Sequence, residues 1–364
     1  MHLSWTLSRY LARQFIVAMI ITLCVFISLI YMIDLVEMMR RAAGHSDISF
    51  GLTAQMTLLR LPTIVTSTLP FSMLFGSMAA FMRLTRSSEL VVARASGVSV
   101  WQFLAPAIMV ALVIGMISVM IINPIAATLE SRYEQLESRF LKGRSSLLAV
   151  SDNGLWLRQA DPDGQSVVHA LKVNDHGIKL EDVIFFLYGP NDQFLGRIDA
   201  KTADLENGYW ALTDLWYSMV NKPSRHFDTF QQPTLLTAEQ VQESFASPDT
   251  ISFWDLPRFI QMAEAAGFTA RQYRLHWHSL MSLPFLLCTM VMVAATFSLR
   301  ISRLGGLTQL VLGAVSTGFL LYFATDLSLA LGLTGVVPPF LAAWAPALVA
   351  MLLGLAALFH MEDG

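Results

Sequence analysis

Six long apolar runs dominate this sequence. They fall at roughly residues 14–38, 56–82, 103–123, 276–298, 306–328 and 336–359. A bilayer core is about 30 Å thick, and a helix needs about 20 apolar residues to cross it. Inside hydrocarbon each backbone polar group must be satisfied internally, which these isolated runs achieve as helices. The expected fold class is an α-helical integral membrane protein with six transmembrane helices. Composition agrees, since only 14% of the residues are charged, against about 25% in soluble domains. Mean hydropathy is +0.54. A net charge of −3 speaks against a nucleic-acid partner. The second run contains Pro62 and Pro70, which a membrane helix tolerates with a kink. The first run is too long and too aromatic for a cleaved signal and reads as a retained span.

Three runs precede residues 124–275 and three follow them, giving a three-plus-three layout around an insertion too polar to span. Residues 145–235 read as short β-rich runs broken by Asp-Asn-Gly, Gly-Pro-Asn and Glu-Asn-Gly turns. An antiparallel β-sandwich of β-jellyroll-like form, or an open barrel, fits them. The stretch "SFWDLPRFIQMAEAAGFTARQYRLHWHSLM" then reads as helical, interrupted at Gly267. The expected division is 1–140 for spans one to three, 141–270 for the β-domain with its helical linker, and 271–364 for spans four to six.

Arginines in short loops set the orientation. Arg9 and Arg13, then Arg83, Arg86 and Arg94, then Arg300 and Arg303 all fall on one side in an alternating topology. That side is expected to be cytoplasmic, with both termini on it and residues 124–275 outside. Arg40 and Arg41 break the rule on the opposite side.

Motifs of chemistry are absent. There is no GxxxxGK[ST], GxSxG or HExxH, and only five lysines. His276 and His278 are two residues apart, so they point to different sides of a helix and make a poor metal pair. They read as interfacial residues beside Trp277. Cys24 and Cys288 lie in apolar runs and read as small buried hydrophobes. The expectation is no catalytic residue, no metal and no cofactor in this chain.

Two stretches carry more. "RSSELVVARASG", residues 86–97, has the marks of a short capped helix between spans two and three. Ser87 or Ser88 can accept orphan amide hydrogens at its start. Glu89 suits the positive end of the helix dipole, and Gly97 can take the left-handed conformation that ends it. Such a helix either rests at the membrane interface or is a knob that a motor subunit grips, through Glu89, Leu90, Val91 and Arg94. Arg40 and Arg41 are either snorkelling anchors or a cationic rim for lipid phosphates, since guanidinium holds phosphate through parallel hydrogen bonds. Arg132, Arg139, Lys142 and Arg144 extend that rim in the second reading, interleaved with Glu130, Glu134 and Glu137. Asp34 and Asp326, near span ends, are expected to reach water. The 19 Met and 23 Phe suit a deformable cavity for acyl chains as well as ordinary packing.

Five stretches together resemble the LptF/LptG family of lipopolysaccharide export permeases. They are "SRYLARQF", "RSSELVVARASGVS", "LLAVSDNGLWLR", "AGFTARQYRLHWHSLMSLP" and "GLTGVVPPFLAAWAP". The likeness covers nearly the whole chain, and "SELVVARASG" brings it closer to the LptG branch. The resemblance implies the permease subunit of an ABC-type exporter in the bacterial inner membrane, with a periplasmic β-jellyroll. It implies an LptF-like sister permease, an LptB-like ATPase dimer that binds the ATP, an LptC-like single-span protein and an LptA-like periplasmic bridge. It assigns the motor-coupling glutamate to Glu89 and phosphate-binding cations to Arg40 and Arg41. One position departs from the pattern: Asp34 stands about where relatives carry a further basic residue, and Arg60 is the candidate to replace that charge. The alternative is a non-transport membrane sensor whose residues 86–97 hold a signalling partner. A secondary transporter would place ionisable groups near the bilayer centre, and none stands there.

Overall fold

The computed structural model describes residues 5–43, 49–89, 92, 95, 97–140, 148–151, 154–161, 164–174, 179–189, 193–234, 247–265, 269–298 and 307–362. The chain divides into two compact units. One comprises Met1–Leu141, Asp249–Trp254 and Arg274–Gly364, and the other Lys142–Pro248 and Asp255–Tyr273.

The first unit is helical. Its elements are α1 (Trp5–Ala42), α2 (Phe50–Leu59), α3 (Leu61–Arg86), α4 (Val100–Ile117), a π-helical segment (Ser118–Ile122) and α5 (Asn123–Phe140). After the second unit come α7 (Arg271–Ser298), α8 (Leu307–Thr334) and α9 (Pro339–Glu362). Among the described residues six helices are long and apolar enough to cross a membrane: α1, α3, the continuous α4–α5 rod, α7, α8 and α9. This is a membrane protein. Several threonine hydroxyls inside these helices return to carbonyls one turn back, as Thr22 does to Ala18, Thr85 to Phe81 and Thr289 to Phe285. That habit satisfies them without water.

Two expected spans come out differently. The second was expected from residue 56 as one kinked helix, but the helix breaks at Arg60. Pro62 has no N–H to offer the Leu58 carbonyl. Arg60 takes φ −83°, ψ −6°, its N–H turns back to the Thr57 carbonyl at 3.2 Å, and α3 starts afresh with proline in its first turn. The third span was expected to end at 123, yet the helix runs on to Phe140.

The π-helical segment prepares that continuation. Pro124 cannot donate to the carbonyl of Met120, four residues back. Trp254 Nε1 donates to that carbonyl instead, at 3.3 Å, while the Phe253 N–H donates to Asn123 Oδ1 at 2.8 Å. Residues from the far end of the insertion thus patch the helix where proline opens it.

The core of the helical unit gathers Leu11, Phe15 and Met19 of α1, Leu74 and Phe81 of α3, Leu104 of α4 and Leu287 and Val291 of α7. Phe15 meets Phe81 edge to face at 4.7 Å. Gly76 makes this approach possible: a Cβ there would lie 2.7 Å from Met19 Cα. Cys288 is buried as expected, whereas Cys24 is exposed on α1.

Among its described residues the second unit holds a seven-stranded antiparallel sheet: β1 (Leu148–Ser151), β2 (Gly154–Asp161), β3 (Gly164–Asn174), β4 (Lys179–Tyr188), β5 (Phe194–Glu206), β6 (Tyr209–Met219) and β7 (Arg225–Pro233). The strands pair in sequence order, each with the next. Alternation selects one face, where Leu155, Leu157, Val168, Phe185, Ile198, Trp210 and Leu215 are buried. The sheet covers this face by rolling. In a flat sheet β2 and β6 would lie about 19 Å apart, four steps of about 4.8 Å. Instead Trp210 Nε1 donates to Gln159 Oε1 at 3.0 Å, and the Thr234 hydroxyl donates to the same oxygen at 2.9 Å. All three residues are buried. The domain is therefore sandwich-like through curling of one meander. Helix α6 (Leu256–Ala265) buries Leu256, Ile260 and Ala263 at helical spacing and contacts β1.

Candidate functional site

The short segment between α3 and α4 comes first. Glu89, Val92 and Ala95 are helical and all exposed, Val92 at 67%. The Val92 N–H bonds the Ser88 carbonyl at 3.0 Å, which makes Ser88 the residue before the first turn. Ser88 adopts φ 59° and Gly97 φ 85°. Both ends of the helix are thus closed by left-handed residues, one of them a serine that pays for the conformation in strain. The serines were expected to accept amide hydrogens. The Ser87 hydroxyl is instead a donor, with Glu89 Oε1 at 2.9 Å and the Arg83 and Leu84 carbonyls at 3.1 and 3.3 Å sharing its one hydrogen. Leu90, Val91 and Arg94 lie outside the described residues, as do Arg300 and Arg303. Ser99 then opens α4 with a capping box, reciprocating with Gln102. A cavity of about 490 Å³ lies beside the segment, lined by Ala79, Met82, Arg83, Arg86 and Ser87.

The second place lies at the C-terminal end of α1. Arg40 and Arg41 are the exposed last cations of that helix, and Glu37 one turn back binds both. Arg40 offers Nε to Glu37 Oε2 and Nη2 to Oε1, each at 2.8 Å. Arg41 Nε reaches Glu37 Oε1 at 3.0 Å. Arg41 Nη1 also stands 3.9 Å from Glu137 Oε1 on α5. The Tyr133 hydroxyl donates to the same Glu137 oxygen at 3.3 Å.

One turn further back on α1 is a closed counterpart. Arg60, at the α2–α3 break, donates from Nη1 to Asp34 Oδ1 at 3.0 Å and holds Nε 3.6 Å from Glu130 Oε1. Its guanidinium lies 5.1 Å over the Tyr133 ring. Thr63 donates to Glu130 Oε2 at 2.8 Å. Asp34 was expected to reach water and is instead ion-paired across helices. Arg60, the candidate replacement cation, is spent on two carboxylates.

Not every predicted member joins the rim. Glu130, Tyr133 and Glu137 share the face of α5 that meets α1 and Arg60. Arg132 leaves α5 about 200° round from Glu130, at 100° per residue, and is exposed. It is not brought to Arg40 and Arg41. Arg139 sits over the Phe140 ring at 5.5 Å, and Lys142 and Arg144 lie outside the described residues. Asp326 is exposed on α8.

The two histidines diverge. His276 Nδ1 stands 3.5 Å from Asp249 Oδ1, and His278 packs edge-on against Phe340 at 5.7 Å. Trp277 between them stacks on Phe253. Among the described residues no three His, Cys, Asp or Glu side chains cluster as a metal site would. The signal that sequence reasoning missed was Glu37: its spacing of three and four to the two arginines marks it as their partner.

These features sit on a chain whose relatives are named. The sequence is 24% identical to the lipopolysaccharide export system permease protein LptG of Escherichia coli K12, over 93% of this chain and 94% of that protein. It is also 24% identical to the protein of the same name from Haemophilus influenzae, over 91% of each. Residues 9–360 match the family described as lipopolysaccharide export system permease LptF/LptG. With that match running from the first turns of α1 to the last of α9, the chain belongs to the LptF/LptG permease family.

Proposed function

We propose that this chain is the LptG-type permease subunit of an ATP-driven lipopolysaccharide exporter in the bacterial inner membrane. The observation that carries this reading is the family match over residues 9–360. The chain itself would be non-catalytic and bind no cofactor. Work would come from an LptB-like ATPase dimer, with an LptF-like permease, an LptC-like single-span protein and an LptA-like bridge completing the path. The β-domain would stand in the periplasm and both termini in the cytoplasm.

Two features support the division of labour. The exposed helix begun by Glu89 offers a rigid knob to the motor, with Leu90, Val91 and Arg94 as its further contacts. Arg40 and Arg41 offer guanidinium groups to lipid phosphate, and their side chains are 78% and 55% exposed. The third candidate cation, Arg132, faces elsewhere and is left out of the phosphate set.

The test is co-expression with the candidate ATPase and sister permease, followed by lipopolysaccharide-stimulated ATP hydrolysis in nanodiscs. Wild-type protein is expected to show stimulation, and Glu89→Ala to lose it while membrane insertion is unchanged. A chain that purifies alone, without ATPase or bound lipid, would return it to the sensor class.

A further inference from the structure

The Arg40–Arg41 pair already carries an anion of its own. Glu37 lays both carboxylate oxygens along the Arg40 fork, at 2.8 Å each, and shares one with Arg41 at 3.0 Å. Two parallel N–H···O bonds are also the arrangement by which guanidinium holds phosphate. A phosphate that takes the Arg40 fork must therefore take it from Glu37. We propose that Glu37 is an internal stand-in for the lipid phosphate: it holds the guanidinium groups while the site is empty, yields to a phosphomonoester lipid, and reclaims the fork as the lipid leaves. This rests on the reading of Arg40 and Arg41 as phosphate ligands.

Three features make the exchange workable. Glu37, Arg40 and Arg41 sit on one helix at spacings of three and four, so no other element has to move for the carboxylate to swing out. The pairs are exposed, and exposed ion pairs are weak, so their loss is a small barrier to a bound dianion. A phosphomonoester carries up to two negative charges, against one on Glu37, and so wins the fork while the lipid is seated. The carboxylate, tethered within reach, keeps a fixed effective concentration. When the acyl chains are drawn away it competes for the fork and shortens the phosphate's stay. A transport site must let go as well as bind, and a tethered competitor supplies release without a separate moving part.

The contrast with Arg60 sharpens the point. That guanidinium is held by Asp34 of α1 and by Glu130 and the Tyr133 ring of α5, two helices other than its own. Displacing its anions would mean unpacking helices. Of these two sites, it is the Glu37 pairs that let the anion alone change.

The experiment uses the full chain assembled with its partner subunits in nanodiscs. The probes are lipopolysaccharide with phosphorylated lipid A and the same lipid after phosphate removal. Glu37→Gln keeps the shape and removes the charge. It is expected to tighten binding of the phosphorylated lipid about two- to five-fold, the scale of an exposed pair, and to slow its dissociation by a similar factor. Binding of the dephosphorylated lipid should not change, and the gain should vanish when Arg40→Ala and Arg41→Ala are added. Unchanged or weaker binding of phosphorylated lipid by Glu37→Gln would overturn the proposal and leave Glu37 a helix-stabilising partner. An equal gain for both lipids would overturn it too. Wild-type affinity in the Arg40→Ala, Arg41→Ala chain would instead remove the phosphate reading beneath it.

Discussion

Two arginine sites lie within two turns of each other on α1, and they differ in almost everything but chemistry. At Asp34 the partner is Arg60, joined by Glu130 and Thr63, so the cluster ties α1, the α2–α3 break and α5 together. At Glu37 the partners are Arg40 and Arg41 of the same helix. The first site is half-sealed between helices and organises them. The second is exposed, closes its tight pairs within one helix, and reaches α5 through the longer Arg41–Glu137 contact at 3.9 Å alone. Charge near a membrane surface thus has two uses, and what separates them is whether the counter-ion comes from another helix.

Substitutions should separate the two sites by size of effect. Arg60→Ala leaves Asp34 and Glu130 facing each other without a cation. Breaking a buried pair costs roughly 3–5 kcal/mol; with Arg60 about one-third exposed, a loss of about 2 kcal/mol is expected. Thermal unfolding in detergent would read it as a Tm lower by several degrees, partly restored by adding Asp34→Asn. An unchanged Tm would mean the cluster is not sealed. Thr63→Val removes one hydroxyl that Glu130 accepts from, at a cost of about 1 kcal/mol, visible as a smaller drop in Tm. Arg40→Ala should not move Tm measurably, because Arg40 is itself exposed and its partner is on its own helix. High salt should leave the Arg60 effect in place. A Tm drop for Arg40→Ala as large as that for Arg60→Ala would erase the distinction between the sites.

The sequence made some of this legible and hid the rest for physical reasons. The six spans were readable because hydrocarbon imposes a length and a composition that no tertiary contact can relax. The Glu-Asn-Gly turn marked the β5–β6 hairpin for a similar local reason, and Gly97 marked a helix end. Glu89 opens its helix as its position in "SSELVV" suggested, although the serine donates where it was expected to accept. The Asp34–Arg60 pair was not readable. The facing of Arg60 depends on a helix break that Pro62 causes two residues early, and on how closely Gly76 lets α3 approach Met19. Nor was the π-helical segment, because its missing donor comes from Trp254, 134 residues away. The sequential strand order was equally hidden, since turn residues mark hairpins and say nothing of how a sheet rolls.

Gln159 has a consequence for the order in which the β-domain is made. Its side-chain oxygen is the meeting point of Trp210 and Thr234, which follow it by 51 and 75 residues. Chains grow from the N-terminus at about 5–20 residues per second, so Thr234 is added about 4–15 s after Gln159. During that interval β2 exists without the strand that will cover it, and the apolar face of Leu155 and Leu157 has no lid. The closing contact is also the last one synthesised. The nascent sheet therefore spends seconds as an open ribbon, and its exposure to misassembly is set by the clock of the ribosome as much as by its own stability.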